Sequence, residues 1–244
     1  MDFELLALLG IIAAFSLVQS VFGIGILVFG TPTLLLIGYD FIEALSHLLP
    51  ASCAVSVLQL WMPAASPAIV SPNLFRLCLP ATVVMLWLVG TSEAVSGHIH
   101  LFVGVMLLFA ALVRLVSRLR AGLDRLLARH EAIYHLIMGI VHGLTNLGGA
   151  LLAVLAGSVS QDKDTVRRTV AYYYLAFSIV QMAVLVAITD HHLLRLEKIE
   201  NAAVSAAVFL TIGNRLFHLA SNRGFHHALS VFIALCGIAV LLKS

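Results

Sequence analysis

Long stretches without a charged residue dominate the chain. Nearly all of the Asp, Glu, Lys and Arg residues fall between these stretches, so hydrophobic and polar positions alternate in large blocks. A transmembrane helix needs about 20 consecutive apolar residues, and most of the stretches reach that length. They cover residues 5–39, 44–75, 94–113, 132–161, 169–189 and 224–242. The pattern predicts an all-α polytopic membrane protein.

Ten apolar segments and one hydrophilic linker follow from this pattern. The linker, residues 118–131, mixes arginines with leucines that recur at helical spacing. Such spacing predicts an amphipathic helix on the membrane surface. The linker divides a first membrane repeat, residues 1–117, from a second, residues 132–244. The segments cover residues 3–21, 24–38, 41–62, 74–90, 98–117, 132–146, 148–157, 165–189, 199–219 and 225–242.

The two halves of the chain resemble each other at short motifs. Residues 18–20 align with residues 141–143 at an offset of 123, and residues 54–59 align with residues 176–181 at an offset of 122. The matches keep the same order and a nearly constant spacing, which indicates an internal duplication. Internal repeats of this kind are a recurring feature of secondary transporters.

Segment lengths and basic residues together predict that the repeats are inverted. Segments 24–38 and 148–157 are short, and we expect each to form a hairpin with the segment before it. Each repeat then consists of a Gly-broken helical hairpin plus three spanning helices, and the two repeats have opposite orientations. With a cytoplasmic linker and both termini outside, most Lys and Arg residues lie inside, as the positive-inside rule requires. Parallel repeats would move more of them outside.

Glycines interrupt the first hairpin of each repeat at matching positions. The first break contains Gly23 and Gly25, and the second contains Gly143, Gly148 and Gly149. Inside a bilayer, an unwound backbone survives only where protein or water satisfies its amides. The half-helix after a break points a positively polarised N-terminus towards the middle of the membrane. Two such breaks predict an anion site built without a buried lysine or arginine; close helix packing is the alternative explanation.

Polar side chains accompany both breaks and complete the predicted site. They can donate hydrogen bonds to an anion. Histidine titrates near neutral pH, so His142 is also the candidate for proton coupling, with a plain interhelical hydrogen bond as the alternative. The candidate substrate-binding residues are Gln19, Gly23, Gly25, Thr31, His142, Thr145, Asn146, Gly148 and Gly149.

Composition narrows the functional classes further. The chain is 61% hydrophobic and only 11% charged, with a formal net charge of +2. Such a chain has too little polar surface for a soluble enzyme and no basic patch for a nucleic acid. It contains no Walker, GxSxG or HExxH motif, so we expect no enzymatic activity and no cofactor. Any transport is therefore expected to be secondary or to depend on a partner.

The remaining histidines suggest an alternative function, a divalent-metal transporter. His98 and His100 lie in one loop, His191 and His192 lie in another, and both loops are outside in the predicted topology. Four imidazoles can bind a transition metal. Because the loops are separate and no metal motif accompanies them, we expect no metal site.

Two further hypotheses concern proton coupling and packing. Glu43 and His47 lie one helical turn apart and could couple transport to protons, although we expect an exposed position at the membrane interface. If the glycine breaks serve only packing, the chain is instead a non-transporting membrane scaffold.

Four stretches of the chain resemble motifs of one known family. They are residues 22–25 leading to Pro32, residues 139–149, the charged stretch 162–169 and the helix end at residues 213–216. Together they resemble the TauE/SafE family of sulfite and organosulfonate exporters over nearly the whole chain.

The resemblance implies a function that composition and spacing do not show by themselves. It implies a multi-pass protein of the bacterial inner (plasma) membrane that exports a small sulfur-containing anion such as sulfite, a sulfonate or thiosulfate. It also implies coupling to the proton gradient, and with inverted repeats we expect alternating access. The expected partners are the anionic substrate and the lipid bilayer, with a homo-oligomer as a further expectation to test, and no nucleic acid.

Overall fold

The structure, a computed structural model, describes residues 3–63, 66–189 and 196–219. Within these ranges every regular element is helical. The first half contains α1 (Phe3–Phe22), α2 (Ile26–Leu36), α3 (Phe41–Trp61), α4 (Leu79–Thr91), α5 (Glu93–Ser96) and α6 (Ile99–Leu115). The rest contains α7 (Ser117–Arg129), α8 (Glu131–Thr145), α9 (Gly149–Val159), α10 (Lys163–Ile188), α11 (Leu196–Val208) and α12 (Asn214–Leu219). Single π-helical turns, Leu74–Cys78 and Phe209–Gly213, lead into α4 and α12.

Several helices have the length and composition of membrane spans. Within the described ranges, these candidate spans are Glu4–Phe22, Phe41–Trp61, Leu74–Thr91, Lys163–Ile188 and Lys198–Leu219. The short helices α2 and α9 are also apolar. The prediction of an all-α polytopic membrane protein is therefore confirmed. The predicted segment 225–242 and the histidines His191 and His192 lie outside the described residues.

Helix breaks occur at matching points of the two halves. α1 ends before Gly23, whose φ is 78°, and α8 ends before Asn146, whose φ is 61°. Both residues adopt the left-handed conformation that commonly ends a helix. A short helix of 11 residues follows each break, α2 in the first half and α9 in the second. Gly23 and Asn146 are 123 residues apart, which is the offset between the first pair of sequence motifs.

The long helices form two groups with opposite directions. Within each group the helices are parallel, because residues further along one helix contact residues further along its neighbour. For α4, α8 and α10 the contacting pairs are Cys78 with Gly139, Thr82 with Gly143, Phe75 with Tyr172, and Gly90 with Ile188. For α1, α3 and α11 they are Ser16 with Ser205, Ser20 with Gly213, Ser46 with Lys198, and Met62 with Asn214. The start of α10 meets the end of α3, where Arg168 donates to the carbonyls of Leu60 and Met62.

Helices α3 and α10 form the centre of the fold, and both are buried along much of their length. α10 begins at Asp162, whose carboxylate accepts the backbone N–H of Thr165 at 3.0 Å and caps the helix. This hydrogen bond holds the pKa of the Asp162 carboxyl below its usual value. In the linker helix α7, Leu123 and Leu126 pack against the core, whereas Arg118 is exposed. The linker is therefore amphipathic in the structure as well.

Candidate functional site

The first break is held closed by the side chain of Gln19. Its Nε2 donates to the hydroxyls of Ser52 at 3.0 Å and Ser56 at 3.3 Å on α3. Its Oε1 accepts the backbone N–H of Ile26, the first residue of α2, at 3.2 Å. One side chain therefore caps the half-helix that follows the break and joins it to α3.

A second glutamine and a close helix contact complete the first break. Gln59 Nε2 donates to the carbonyl oxygens of Gln19 at 2.8 Å and Ser20 at 3.2 Å. Gly25 lies directly on α1, where a Cβ would come within 2.5 Å of Gln19 N and 2.7 Å of Phe15 O. Among the described side chains that α1 and α3 contribute here, Gln59 Oε1 alone lacks a hydrogen-bond partner. The polar groups of this break thus bond mainly with one another.

The second break has the same backbone turn and a different side chain at its centre. His142 occupies the position that Gln19 has in the first repeat. Its Nε2 donates to Gln181 Oε1 at 3.1 Å, and its ring stacks on Phe177 with 3.9 Å between centroids. Its Nδ1 faces Gly148, where a Cβ would lie 3.0 Å away. Among the described residues, no side chain accepts the first N–H groups of α9, whereas Gln19 Oε1 accepts the N–H of Ile26 at the start of α2.

Five polar atoms around His142 have no hydrogen-bond partner among the described residues, and their side chains are all completely buried. Three of them lie on one face of α10, because spacings of three and four residues keep side chains on the same side of a helix. The atoms are His142 Nδ1, Asn146 Oδ1, Tyr174 OH, Ser178 Oγ and Gln181 Nε2. We call these five residues the second-break cluster. A buried polar group without a partner costs about 1–3 kcal/mol, so five together make this region the candidate site.

The second-break cluster also contacts the hairpin of the first repeat. Asn146 Nδ2 donates to Thr31 Oγ1 on α2 at 2.8 Å. A Cβ at Gly149 would collide with the hydroxyl of Tyr174 and come within 2.5 Å of Val28 Cγ2 on α2. The start of α9 therefore lies between α2 and α10, and both repeats contribute to this region.

The predicted site residues divide between the two breaks. The structure groups five of them around the second break: Thr31, His142, Asn146, Gly148 and Gly149. Gln19, Gly23 and Gly25 stay at the first break. The hydroxyl of Thr145 is used within its own turn, since it donates to Val141 O at 2.7 Å and accepts the N–H of Leu147 at 3.3 Å.

Sequence analysis did not place Tyr174, Ser178 and Gln181 in the site, although α10 supplies all three to the cluster. The available signal was the duplicated Ser–x–x–Gln motif, which occurs within residues 54–59 and again within residues 176–181. The motif indicates that these positions correspond in the two halves of the chain. It does not show that the copy on α3 is hydrogen-bonded and the copy on α10 is largely not.

One basic side chain lies at the first break, where the sequence predicted none. Arg167 of α10 is 2% exposed, and its Nη1 lies 3.3 Å from both Ser20 O and Asn214 Oδ1. Its guanidinium stacks on the ring of Phe217 at 3.4 Å. The residue follows the charged turn 162–164, which is typical of an exposed helix start. Packing of α1 and α12 against that start buries it.

A second buried polar group joins α3 to α11. His47 is 5% exposed, so the expected interfacial position is wrong for it, whereas Glu43 is exposed. Lys198 Nζ lies 2.7 Å from both His47 Nε2 and Ser46 Oγ, and the amide of Asn201 lies 2.9 Å from His47 Nδ1. The contact joins residues about 150 positions apart in the chain, so helical spacing alone could not identify it.

The metal-transport alternative depends on the loop histidines. The described part of the chain contains no group of three or more His, Cys, Asp or Glu side chains that could hold a metal ion. His191 and His192 lie outside that part, so this alternative stays a hypothesis.

The helical fold and its long apolar helices define the chain as an all-α multi-pass membrane protein. A profile of the family described as Sulfite exporter TauE/SafE matches residues 6–240. The chain therefore belongs to the TauE/SafE family, as its motifs predict, and is a transporter of the sulfite-exporter type. No curated protein and no solved structure matches it.

Proposed function

We propose that the chain exports a small sulfur-containing oxyanion and that the anion binds at the second-break cluster. The observation that carries this proposal is the set of five completely buried polar atoms without partners around His142. At the first break, the corresponding side chains of α1 and α3 bond with one another, and among the described ones only Gln59 Oε1 lacks a partner. Membership of the TauE/SafE family supplies the class of anion.

The atoms of the cluster favour a singly charged oxyanion. Tyr174, Ser178 and Gln181 offer O–H and N–H donors to anion oxygens. His142 Nδ1 is an acceptor when Nε2 carries the ring proton, so it can accept a hydrogen bond from the protonated oxygen of such an ion. These side chains include no fixed positive charge, so burying a dianion among them would cost more. Hydrogen sulfite and sulfonates therefore fit better than sulfate.

Backbone and supporting residues complete the proposed site. Gly148 and Gly149 let the N-terminus of α9, with its partial positive charge, approach the ligand. Asn146 offers Oδ1 to a protonated ligand while its Nδ2 is held by Thr31. The other predicted residues hold the two breaks in shape rather than touch the anion: Gln19, Gly23, Gly25 and Thr145.

We further propose alternating access by two inverted repeats, residues 1–117 and 132–244, joined by the cytoplasmic linker 118–131. The equivalent helices α1 and α8 belong to the two groups that run in opposite directions, which supports this arrangement. A cavity of about 500 Å³ lies on the linker side beside α7 and α9, with Tyr173 and Glu131 in its lining. In this topology the chain resides in the bacterial inner membrane. Sedimentation in detergent tests the separate prediction of a homo-oligomer.

Thermal stability in detergent tests the binding site. Purified protein is melted with sulfite, sulfate, thiosulfate, methanesulfonate, Zn²⁺ or Ni²⁺, because a ligand that binds only the folded state raises the melting temperature. We expect a dose-dependent rise with sulfite at slightly acidic pH. Gln181→Leu removes one donor and should weaken sulfite binding about tenfold. The repeat-related control, Gln59→Leu, should lower the melting temperature without ligand and keep the rise with sulfite.

Each outcome of this experiment decides between the proposed functions. An equal rise in melting temperature with sulfite in the native protein and in Gln181→Leu would show that the anion does not bind at the second-break cluster. A rise with metal ions alone would favour the metal transporter. No rise with any ligand would contradict the exporter proposal and favour the scaffold.

Proton coupling is a separate part of the proposal, and we assign it to His142. Its Nδ1 faces the break and lacks a hydrogen-bond partner among the described residues. In His142→Gln, sulfite flux into proteoliposomes should lose its dependence on an imposed pH gradient. A pH-dependent flux that survives this substitution would exclude His142 as the coupling residue.

A further inference from the structure

Arg167 lies on the same face of α10 as the second-break cluster. Steps of seven, four and three residues lead from Arg167 to Tyr174, Ser178 and Gln181, and these spacings keep all four on one side of the helix. Seven residues correspond to about 10 Å along a helix axis. Arg167 is also close to the end of α10 that the proposed topology places in the cytoplasm. An anion that approaches the cluster along this face from that end meets Arg167 first.

The contacts of Arg167 are all with neutral groups. Its Nη1 lies 3.3 Å from Ser20 O and from Asn214 Oδ1, which is long for a hydrogen bond from a charged donor. Its Nε has no hydrogen-bond partner among the described residues, although the side chain is only 2% exposed. The buried guanidinium thus keeps a donor for a further acceptor.

The neighbouring Arg168 has the same incomplete hydrogen bonding. Its two terminal nitrogens donate to Met62 O at 3.0 Å and Leu60 O at 3.2 Å, the last carbonyls of α3. Its Nε is also buried and without a partner among the described residues. Two adjacent guanidinium groups therefore each keep one unused N–H.

No carboxylate of the described residues forms an ion pair with either arginine. Asp164, one turn earlier on α10, attracts the Arg167 guanidinium from a distance but forms no ion pair with it within 4.0 Å. Residues 220–244, beyond the described part, contain no Asp or Glu. Buried cations in proteins are normally paired with an anion, so this pair of arginines has the capacity to bind one.

We propose that Arg167 and Arg168 form a second anion-binding site, at the cytoplasmic end of the path to the second-break cluster. It takes a small oxyanion, because guanidinium groups make short, charge-assisted hydrogen bonds to such ions. The inference rests on the proposed function, since it assigns the entry step of the same transport path. Arg167 Nη1 also holds Ser20 O at the end of α1. Transfer of this donor to an anion would loosen the first break, which couples anion entry to movement of the hairpin.

Sulfite flux in proteoliposomes at low and high salt tests this site. Arg167→Gln should raise the half-saturating sulfite concentration about tenfold and flatten its salt dependence, since the cation that attracts the anion is gone. Arg167→Lys keeps the charge, so it should keep the salt dependence with weaker affinity. Arg215→Gln is the matched control, because Arg215 is an exposed arginine near the same end of the bundle. It should change the half-saturating concentration less than twofold.

Three results would overturn the proposal. The first is an unchanged half-saturating concentration in Arg167→Gln with only a lower maximal rate, which indicates a purely structural role. The second is a salt dependence that disappears in Arg167→Lys although this variant melts like the native protein. The third is an equal effect of Arg215→Gln, which indicates general surface charge.

The same assay separates this inference from the proposed function. If only the second-break cluster is assigned wrongly, Gln181→Leu leaves the half-saturating concentration unchanged while Arg167→Gln still raises it. If only the arginine site is assigned wrongly, Arg167→Gln leaves the half-saturating concentration unchanged while Gln181→Leu raises it.

Discussion

The two helix breaks share a backbone and differ in the side chain at their centre. Gly23 and Asn146 take the same left-handed conformation, and a helix of 11 residues follows each. In the first break, Gln19 caps the next helix and bonds to α3. In the second, His142 occupies the equivalent position, and no described side chain accepts the first N–H groups of α9 or bonds to the amide nitrogen of Gln181.

This difference indicates that two similar hairpins can have different roles, one structural and one in ligand binding. Inside a bilayer no bulk water satisfies a polar group, so each unpaired atom destabilises the fold. In the first break, polar side chains of α1 and α3 form hydrogen bonds with one another, so this break has a structural role. In the second break the unpaired polar atoms destabilise the fold, and a ligand that supplies their missing hydrogen-bond partners can offset this effect. Substitutions at equivalent positions should therefore change stability in the first break and ligand affinity in the second.

The largest contrast is expected for alanine in place of a break glycine. In Gly25→Ala the new Cβ meets backbone atoms of α1, which cannot move aside, and overpacking of this kind costs about 3 kcal/mol. In Gly149→Ala it meets Val28 and the end of Tyr174, which can shift. We expect a large fall in melting temperature for Gly25→Ala, and a small fall with weakened sulfite binding for Gly149→Ala. Similar stability losses in both variants would contradict the division of roles.

Two serines at corresponding positions of the halves, Ser56 and Ser178, give a second test in which smaller effects are expected. Ser56 Oγ accepts a hydrogen bond from Gln19 at 3.3 Å, whereas Ser178 Oγ has no partner in the described part of the chain. Ser56→Ala should therefore lower the free energy of unfolding by about 1 kcal/mol. Ser178→Ala should leave it unchanged or raise it, while sulfite affinity falls several-fold. Melting curves with and without sulfite measure both quantities, and a stability loss in Ser178→Ala would show that its hydroxyl is bonded after all.

Gly23 and Asn146 share the left-handed conformation, so each can be replaced by the residue type of the other break. Asn146→Gly keeps the backbone conformation and removes the amide with its hydrogen bond to Thr31, so stability should fall by about 1 kcal/mol while sulfite affinity falls about tenfold. Gly23→Asn introduces a residue that tolerates this conformation, yet its Cβ would lie 3.1 Å from Val170. This variant should lose about 1 kcal/mol of stability and bind sulfite normally. Normal sulfite binding by Asn146→Gly would remove Asn146 from the site.

The smallest effect is expected at Thr31, where the two repeats meet. Thr31→Val removes the acceptor of the Asn146 side chain and preserves the volume of the residue. Asn146 would then be less firmly placed, and sulfite affinity should fall by about threefold through lost positioning. Binding titrations against the native protein check this value. An effect as large as that of Asn146→Gly would instead indicate direct contact between Thr31 and the anion.

Much of the fold could be predicted because its signals are local. Charge-free runs set the apolar helices, and the glycine clusters mark both breaks close to Gly23 and Asn146. The constant offset between motifs shows which positions of the halves correspond. Bilayer thickness and helix geometry constrain these features whatever their neighbours are.

The composition of the site could be predicted only in part. Helical spacing near a break identifies His142 and Asn146, but it does not show that Tyr174 and Ser178 complete their surroundings. The charged turn 162–164 is typical of an exposed helix start, and only packing against other helices buries Arg167 behind it. These assignments depend on which helices meet, and local sequence does not contain that information.

Apolar length, glycine positions and repeated motifs act within single segments, so the class of protein, the two breaks and the family follow from the amino-acid sequence. Which break is hydrogen-bonded and which retains unpaired polar atoms depends on tertiary contacts. The reason is physical: Gln19 and His142 occupy equivalent positions, and both can form hydrogen bonds. Whether those bonds are complete depends on the side chains that α3 and α10 bring within about 3 Å.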